Sequence, residues 1–128
     1  MSRMKRDNYL RAVQRLGEAL DEYASNPTDT VRDGVIQRFE FTFELAWKSL
    51  KEYMLDQGST APLQFPKQVL REAYAAGLID DDRLWVDMLE ARNSTSHIYD
   101  DRQAAAVMSG VQERYYKALR ALAALYGA

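Results

Sequence analysis

The segment Arg92-Asn93-Ser94-Thr95-Ser96-His97-Ile98-Tyr99 holds the only histidine in the chain, with an arginine five positions before it and a tyrosine two positions after it. An imidazole ordinarily titrates near about pH 6.5, so it can take or give a proton at neutral pH. A guanidinium is a permanent cation whose planar donor fork fits phosphate oxygens. Together the two suit hydrolysis or transesterification at a phosphate ester, where one group moves a proton and the other stabilises charge. Three hydroxyl residues and an asparagine lie between them. Residues three and four apart share a helix face, so Arg92, Thr95, Ser96 and Tyr99 can line one side if the helix continues, with His97 near its end. A plainer reading fits the same residues. The histidine would act as a helix-end cation and the hydroxyls would satisfy nearby backbone groups. Spacing alone leaves both open.

Other chemistries have less support. The chain carries no glycine-rich phosphate loop, no paired-histidine zinc motif and no EF-hand pattern. With one histidine and no cysteine, neither a metal site nor a cofactor is expected. Asp80-Asp81-Asp82 could hold a hard cation. It reads more simply as a run matched to the positive start of a helix. The absence of cysteine excludes disulfides and fits a cytoplasmic protein. No apolar run reaches the ~18 residues of a membrane span, and no apolar stretch follows the basic Met1–Arg6 start, so neither a membrane segment nor a secretory signal is expected. Net charge is −2, which argues against a broad, non-specific nucleic-acid binder but not against a small local RNA site.

The elements that must position the motif are helices. At 128 residues the chain suits one domain, residues 1–128, which would bury about two-thirds of its unfolded surface. Tyr9, Val13, Leu16, Leu20 and Tyr23 form one apolar stripe, predicting a helix over 7–23 that stops at Ser25-Asn26-Pro27. Ile36, Phe39, Phe43, Trp47, Leu50 and Met54 predict a second helix over 30–56, about 40 Å long, with Gly58 as its stop. Phe41, Leu45 and Tyr53 widen its apolar surface, so it must pack on several neighbours or on another subunit. A shorter helix follows Pro66, with Val69, Leu70, Ala73 and Tyr74 inward and Gly77 after its end. Asp80 or Asp81 caps a fourth helix bearing Trp85, Met88, Leu89 and Arg92 on one face. A fifth begins near Asp100, and its stripe runs from Ala104, Val107 and Met108 through Val111, Tyr115, Leu119 and Leu122 to Leu125. No strand alternation occurs. Short connections predict an all-α, antiparallel up-down bundle of four to five helices.

With these elements in place, Arg92, His97 and Tyr99 resemble the Arg–His–Tyr motif of HEPN domains, specifically the form found in the toxins of MNT/HEPN toxin–antitoxin pairs. Asn93, the polar residue directly after the motif arginine, fits as well. The run Arg38-Phe39-Glu40-Phe41-Thr42-Phe43-Glu44-Leu45-Ala46-Trp47-Lys48 is similar to the second-helix signature of the nucleotidyltransferase substrate-binding protein family. So is Gly77-Leu78-Ile79 followed by Trp85 and the motif. The resemblance covers nearly the whole chain.

It implies a HEPN-like bundle forming a two-fold homodimer, and a minimal nucleotidyltransferase as partner. It further implies a metal-independent endoribonuclease acting on RNA, in some cases tRNA. In that reading Arg92 and His97 are catalytic, Asn93 and Ser96 are supporting polar residues, and the nucleotidyltransferase transfers AMP to Tyr99 and silences the toxin. A two-fold axis near His97 would supply the second proton-transfer group that one chain lacks. The alternative is a non-catalytic subunit that presents a substrate or nucleotide to a two-component nucleotidyltransferase.

Overall fold

The computed structural model describes residues 3–128, so Met1 and Ser2 of the basic start lie outside the described residues. The elements are α1 (Met4–Ser25), α2 (Asp29–Asp56), α3 (Pro66–Ala75), α4 (Asp82–Ser94), a 3-10 turn (Thr95–His97), α5 (Asp101–Gly110), a π-helical turn (Val111–Tyr115) and α6 (Tyr116–Leu125). The last three run on without a break, so the fold is an all-helical bundle of five rods. Among the described residues there is no strand, and no helix is long and apolar enough to cross a membrane.

Local chemistry sets the boundaries. Pro27 separates α1 from α2, and Thr28 caps α2 by accepting the Val31 N–H at 3.2 Å. Asp81 caps α4 through the Leu84 N–H (3.0 Å), and Asp100 caps α5 through the Gln103 N–H (2.9 Å). Gly77 follows α3 at φ +76°, a left-handed conformation that favours glycine, and lets Leu78 N–H reach back to the Ala73 carbonyl at 2.9 Å. The first helix is longer than its stripe predicts, by three residues at its start and two at its end, because polar residues extend a helix without adding to its apolar face.

The spine is α2, which packs against every other helix. Its buried row runs from Val35 and Ile36 through Phe39, Phe43, Ala46 and Leu50 to Met54. Phe39 stacks on Tyr115 (5.5 Å between centroids), and Phe43 tilts against Trp85 (6.3 Å). The α1–α2 pair is antiparallel, and polar contacts fix its register. Thr42 lies against the Ala12 carbonyl, Arg38 donates to the Arg15 carbonyl at 2.7 Å, and Arg6 meets Glu52 and Asp56. Buried Tyr9 donates to the Leu119 carbonyl at 2.6 Å and sits edge-on to Tyr126, whose hydroxyl is 2.9 Å from Ser49. Burial pushes both phenols well above their ordinary range, so they stay neutral.

Phe41, which widens the apolar surface of α2, is 62% exposed in the single chain, on the side away from the core face. Two inward expectations fail, for geometric reasons. Tyr74 is half exposed, because short α3 covers only the narrow stripe of Val69, Leu70 and Ala73. Leu125 is exposed, and Tyr126 takes the inward place. The π turn was not expected either. Tyr115 folds back over Gly110, where an added Cβ would stand 2.5 Å from its ring. Glycine is what lets the ring pass there.

The Arg6–Glu52–Asp56 cluster yields two predictions. Arg6 reaches Glu52 at 3.0 Å and Asp56 at 2.5 Å, with its side chain 9% exposed. Burial alone would raise the Glu52 pKa, but N–H donors from Lys5 and Arg6 and the guanidinium charge outweigh it and hold the carboxyl below its ordinary value. A depressed folded pKa contributes stability above the unfolded value, about 4.3, which is lost as pH falls through the lower folded value. Urea unfolding should therefore show stability falling on acidification in that window, with a flatter slope in Glu52→Gln. Arg6→Met should cost about 3 kcal/mol at neutral pH, because it removes the guanidinium from two largely buried carboxylates.

Candidate active site

The α4 face that buries Trp85, Met88 and Leu89 reaches Arg92 where the apolar core gives out. There α2 presents carboxylates. Arg92 Nη2 lies 3.2 Å from Glu44 Oε1, both side chains being about one-third exposed, and Glu44 is shared with Lys48 at 3.6 Å. Arg92 Nε is enclosed with no hydrogen-bond partner among the described residues. An enclosed N–H without an acceptor costs on the order of 1–3 kcal/mol, and an anion would meet Arg92 through the one-third of its side chain that is open to solvent.

The helix stops at once. Ser94 donates to the Ala91 carbonyl (2.7 Å) and Ser96 to the Asn93 carbonyl (3.2 Å). The Thr95 hydroxyl lies against both the Arg92 carbonyl (2.7 Å) and the Glu40 carboxylate of α2. Its single hydrogen serves one acceptor at a time. This back-bonding competes with helix continuation. Ile98 then turns extended and packs against the core. Tyr99 N–H donates to Gln103 Oε1 at 2.6 Å, which fixes the backbone just ahead of the Asp100 cap. Arg32 of α2 reaches Asp101 at 3.2 Å and ties down the start of α5.

The plainer reading of the hydroxyls is therefore correct, since each satisfies local backbone. The helix does not continue through Tyr99. Thr95 stays with Arg92, whereas Tyr99 lies beyond the turn and is 82% exposed, so a buried structural hydroxyl is not its role. His97 is exposed at the end of the 3-10 turn, and Asn93 is exposed and contributes its carbonyl. Sequence reasoning missed Glu40 and Glu44. Their signal was present in their four-residue spacing, on the side of α2 away from Phe39 and Phe43. Among the described residues, no group of three or more histidine, aspartate or glutamate side chains is placed to hold a metal.

The arrangement offers a guanidinium steered by Glu44, a solvent-facing imidazole and an open phenol on one short, braced turn. Thr95→Val tests the brace. Losing the hydroxyl's bond to a carboxylate should cost about 1 kcal/mol in chemical denaturation. Hydrogen exchange at amides 95–99 should accelerate, while α1 and α2 stay as protected as before.

Comparison with known proteins identifies relatives of this fold. The family model described as nucleotidyltransferase substrate binding protein like matches residues 4–125. A Haemophilus influenzae protein named "Probable ribonuclease HepT" is 38% identical over 89 residues, 66% of this chain and 60% of that protein, so this chain spans less than two-thirds of its relative's length. A solved structure from Haemophilus influenzae, described as revealing the fold of a substrate binding domain of a nucleotidyltransferase, matches with TM-score 0.82 and 30% identity, covering 94% of this chain and 97% of that one. A crystal structure from Thermus thermophilus matches at TM-score 0.81 and 30% identity, covering 94% of this chain and 99% of that one. Fold, motif and match over nearly the whole length lead to one assignment: the chain belongs to the nucleotidyltransferase substrate binding protein-like family.

Proposed function

We propose that this protein is a metal-independent endoribonuclease of the MNT/HEPN toxin type, working as a two-fold dimer and silenced by a partner nucleotidyltransferase. The observation that carries the reading is the exposed His97 on the short turn that follows Arg92, whose side chain is one-third open to solvent. The name of the Haemophilus relative supports it. In the reaction the ribose 2′-hydroxyl attacks phosphorus and the bond to the 5′ oxygen breaks. One His97 removes the 2′ proton, and the partner subunit's His97 protonates the leaving oxygen, giving a 2′,3′-cyclic phosphate and a 5′-hydroxyl. Arg92 stabilises the extra negative charge on phosphorus oxygens. Its link to Glu44 is partly open to water and worth about 1 kcal/mol or less, so a phosphate can displace it. Asn93 and Ser96 hold the turn.

Tyr99 has a separate role. Its open phenol is reachable by another enzyme's active site. The nucleotidyltransferase would take the phenolic proton. The phenolate would attack the α-phosphorus of ATP and expel pyrophosphate. The AMP attached there would place a negative charge beside Arg92 and exclude RNA.

A second reading is favoured by the chain's net charge of −2 and by the neighbour described as a substrate binding domain. In it the protein only presents substrate to the nucleotidyltransferase. Incubation of purified, unmodified protein with total RNA and tRNA in EDTA separates the two. The ribonuclease reading expects cyclic-phosphate ends and a rate falling at least about a hundredfold in a folded His97→Ala variant. No cleavage by an unmodified dimer selects the substrate-binding reading.

A further inference from the structure

On the α1 side of α2, Arg11, Arg15, Arg38 and the exposed Phe41 surround a cleft of about 460 Å³ floored by Ala12 and Thr42. Its charge runs against that of the whole chain. Arg11 is held by the Asn8 side-chain oxygen, and Arg38 spends one N–H on the Arg15 carbonyl. None of the three arginines meets a carboxylate among the described residues, and no acidic residue lines the cleft. Among the described residues Arg6, Arg32, Arg83, Arg92 and Arg114 are paired with acids; Arg3, Arg71, Arg102 and Arg120 are not, but none of these four lines this cleft. Three unpaired cations repel one another, and an exposed phenylalanine contributes no stability to the bundle. Both make sense when the cleft is filled.

We infer that this cleft binds a single strand of RNA, with the arginines on successive phosphates and Phe41 as a stacking platform for a base. Its identification as RNA rests on the ribonuclease reading. A flat aromatic beside guanidinium forks is the usual combination for gripping a strand without reading its sequence. Arg11 and Arg15 stand one helical turn apart, about 6 Å, on the order of one nucleotide step of an extended strand. The direction of the path is set by charge. Toward the α1–α2 turn, Arg38 borders a second cleft that contains Glu18 and Glu22, which would stop an anionic strand. In the other direction lie Lys5, Lys48 and Lys51, beside Glu52 and Asp56, whose charges Arg6 already meets. Along α2, Phe41 follows Glu40, which accepts the Thr95 hydroxyl at the end of α4.

The test uses the full chain carrying His97→Ala, so that binding is read without cleavage. A fluorescently labelled, mixed-sequence oligoribonucleotide is titrated by anisotropy at several salt concentrations. Arg15→Gln with Arg38→Gln should weaken binding about tenfold or more and lower the salt slope by about 0.7 for each arginine removed. Phe41→Ala should weaken it about fivefold or more. Lys67→Gln on distant α3 should change neither. Elution volume should match the parent in every variant, and melting should differ only in the variant carrying Arg38→Gln, by the loss of its single exposed hydrogen bond to the Arg15 carbonyl. Unchanged affinity and salt slope would overturn the inference. So would a shift of Phe41→Ala from dimer to monomer on gel filtration, which would make this face a contact between copies. Binding as expected but no cleavage by the unsubstituted chain leaves the cleft standing and removes the ribonuclease reading. Normal cleavage with undiminished binding in the variants removes only the cleft.

Discussion

Everything in this molecule depends on α2 having two chemically different sides. One side is a row of Phe39, Phe43, Ala46 and Leu50 that shares its burial with every other helix. The edge away from that row carries Glu40, Phe41, Glu44 and Lys48 and packs against little. Burying the first side fixes α4 and the long final rod with Trp85 and Tyr115 as its main contacts. Once α4 is pinned by Trp85, Met88 and Leu89, the next turn of that face must deliver Arg92 against Glu44. The candidate active site is thus a consequence of where the core ends. It needs no dedicated scaffold.

The turn after Arg92 shows how polar residues end a helix while keeping it rigid. Ser94 and Ser96 each return a hydroxyl to a carbonyl three residues back, and Thr95 shares its hydroxyl hydrogen between the Arg92 carbonyl and Glu40. Ile98 anchors the exit in apolar surroundings, and Asp100 with Gln103 starts the next helix at once. Loops that carry reactive groups usually gain exposure at the expense of order. Here Thr95–Glu40 and Arg32–Asp101 tie both ends of the turn to α2, so His97 and Tyr99 face solvent from a short and well-held segment.

Much of this was legible in the residues, since capping side chains, prolines and left-handed glycines are local signals. Asp81, Asp100, Pro27, Pro66 and Gly77 each mark a boundary the structure keeps, whereas the Thr28 cap starts α2 one residue before the expected position 30. What periodicity could not give is which neighbour covers which face. Tyr74 and Leu125 sit at the edges of their stripes, and nothing in a stripe states how wide its partner is. Tyr126 went unnoticed because its inward role depends on Ser49 and Tyr9, both distant in sequence. Glu40 and Glu44 look like ordinary solvated charges until Thr95 and Arg92 are brought to them. The π turn was hidden as well, because it rests on a ring passing over Gly110.

An acidic chain that handles an anionic substrate looks contradictory only if charge is summed over the whole molecule. At physiological salt a charge is screened within about 8 Å, so a bound strand responds to what lies along its path. In this bundle several carboxylates near α2 are already occupied. Glu44 is shared by Arg92 and Lys48, and Glu52 and Asp56 by Arg6. Arg11, Arg15 and Arg38 are left without an acid partner among the described residues, on one side of the same helix. The clustering of three such cations in one cleft, and not the composition, therefore makes this side electropositive. A two-fold arrangement would double such a local site while the net charge of the particle became more negative, so total charge and local affinity are free to move in opposite directions.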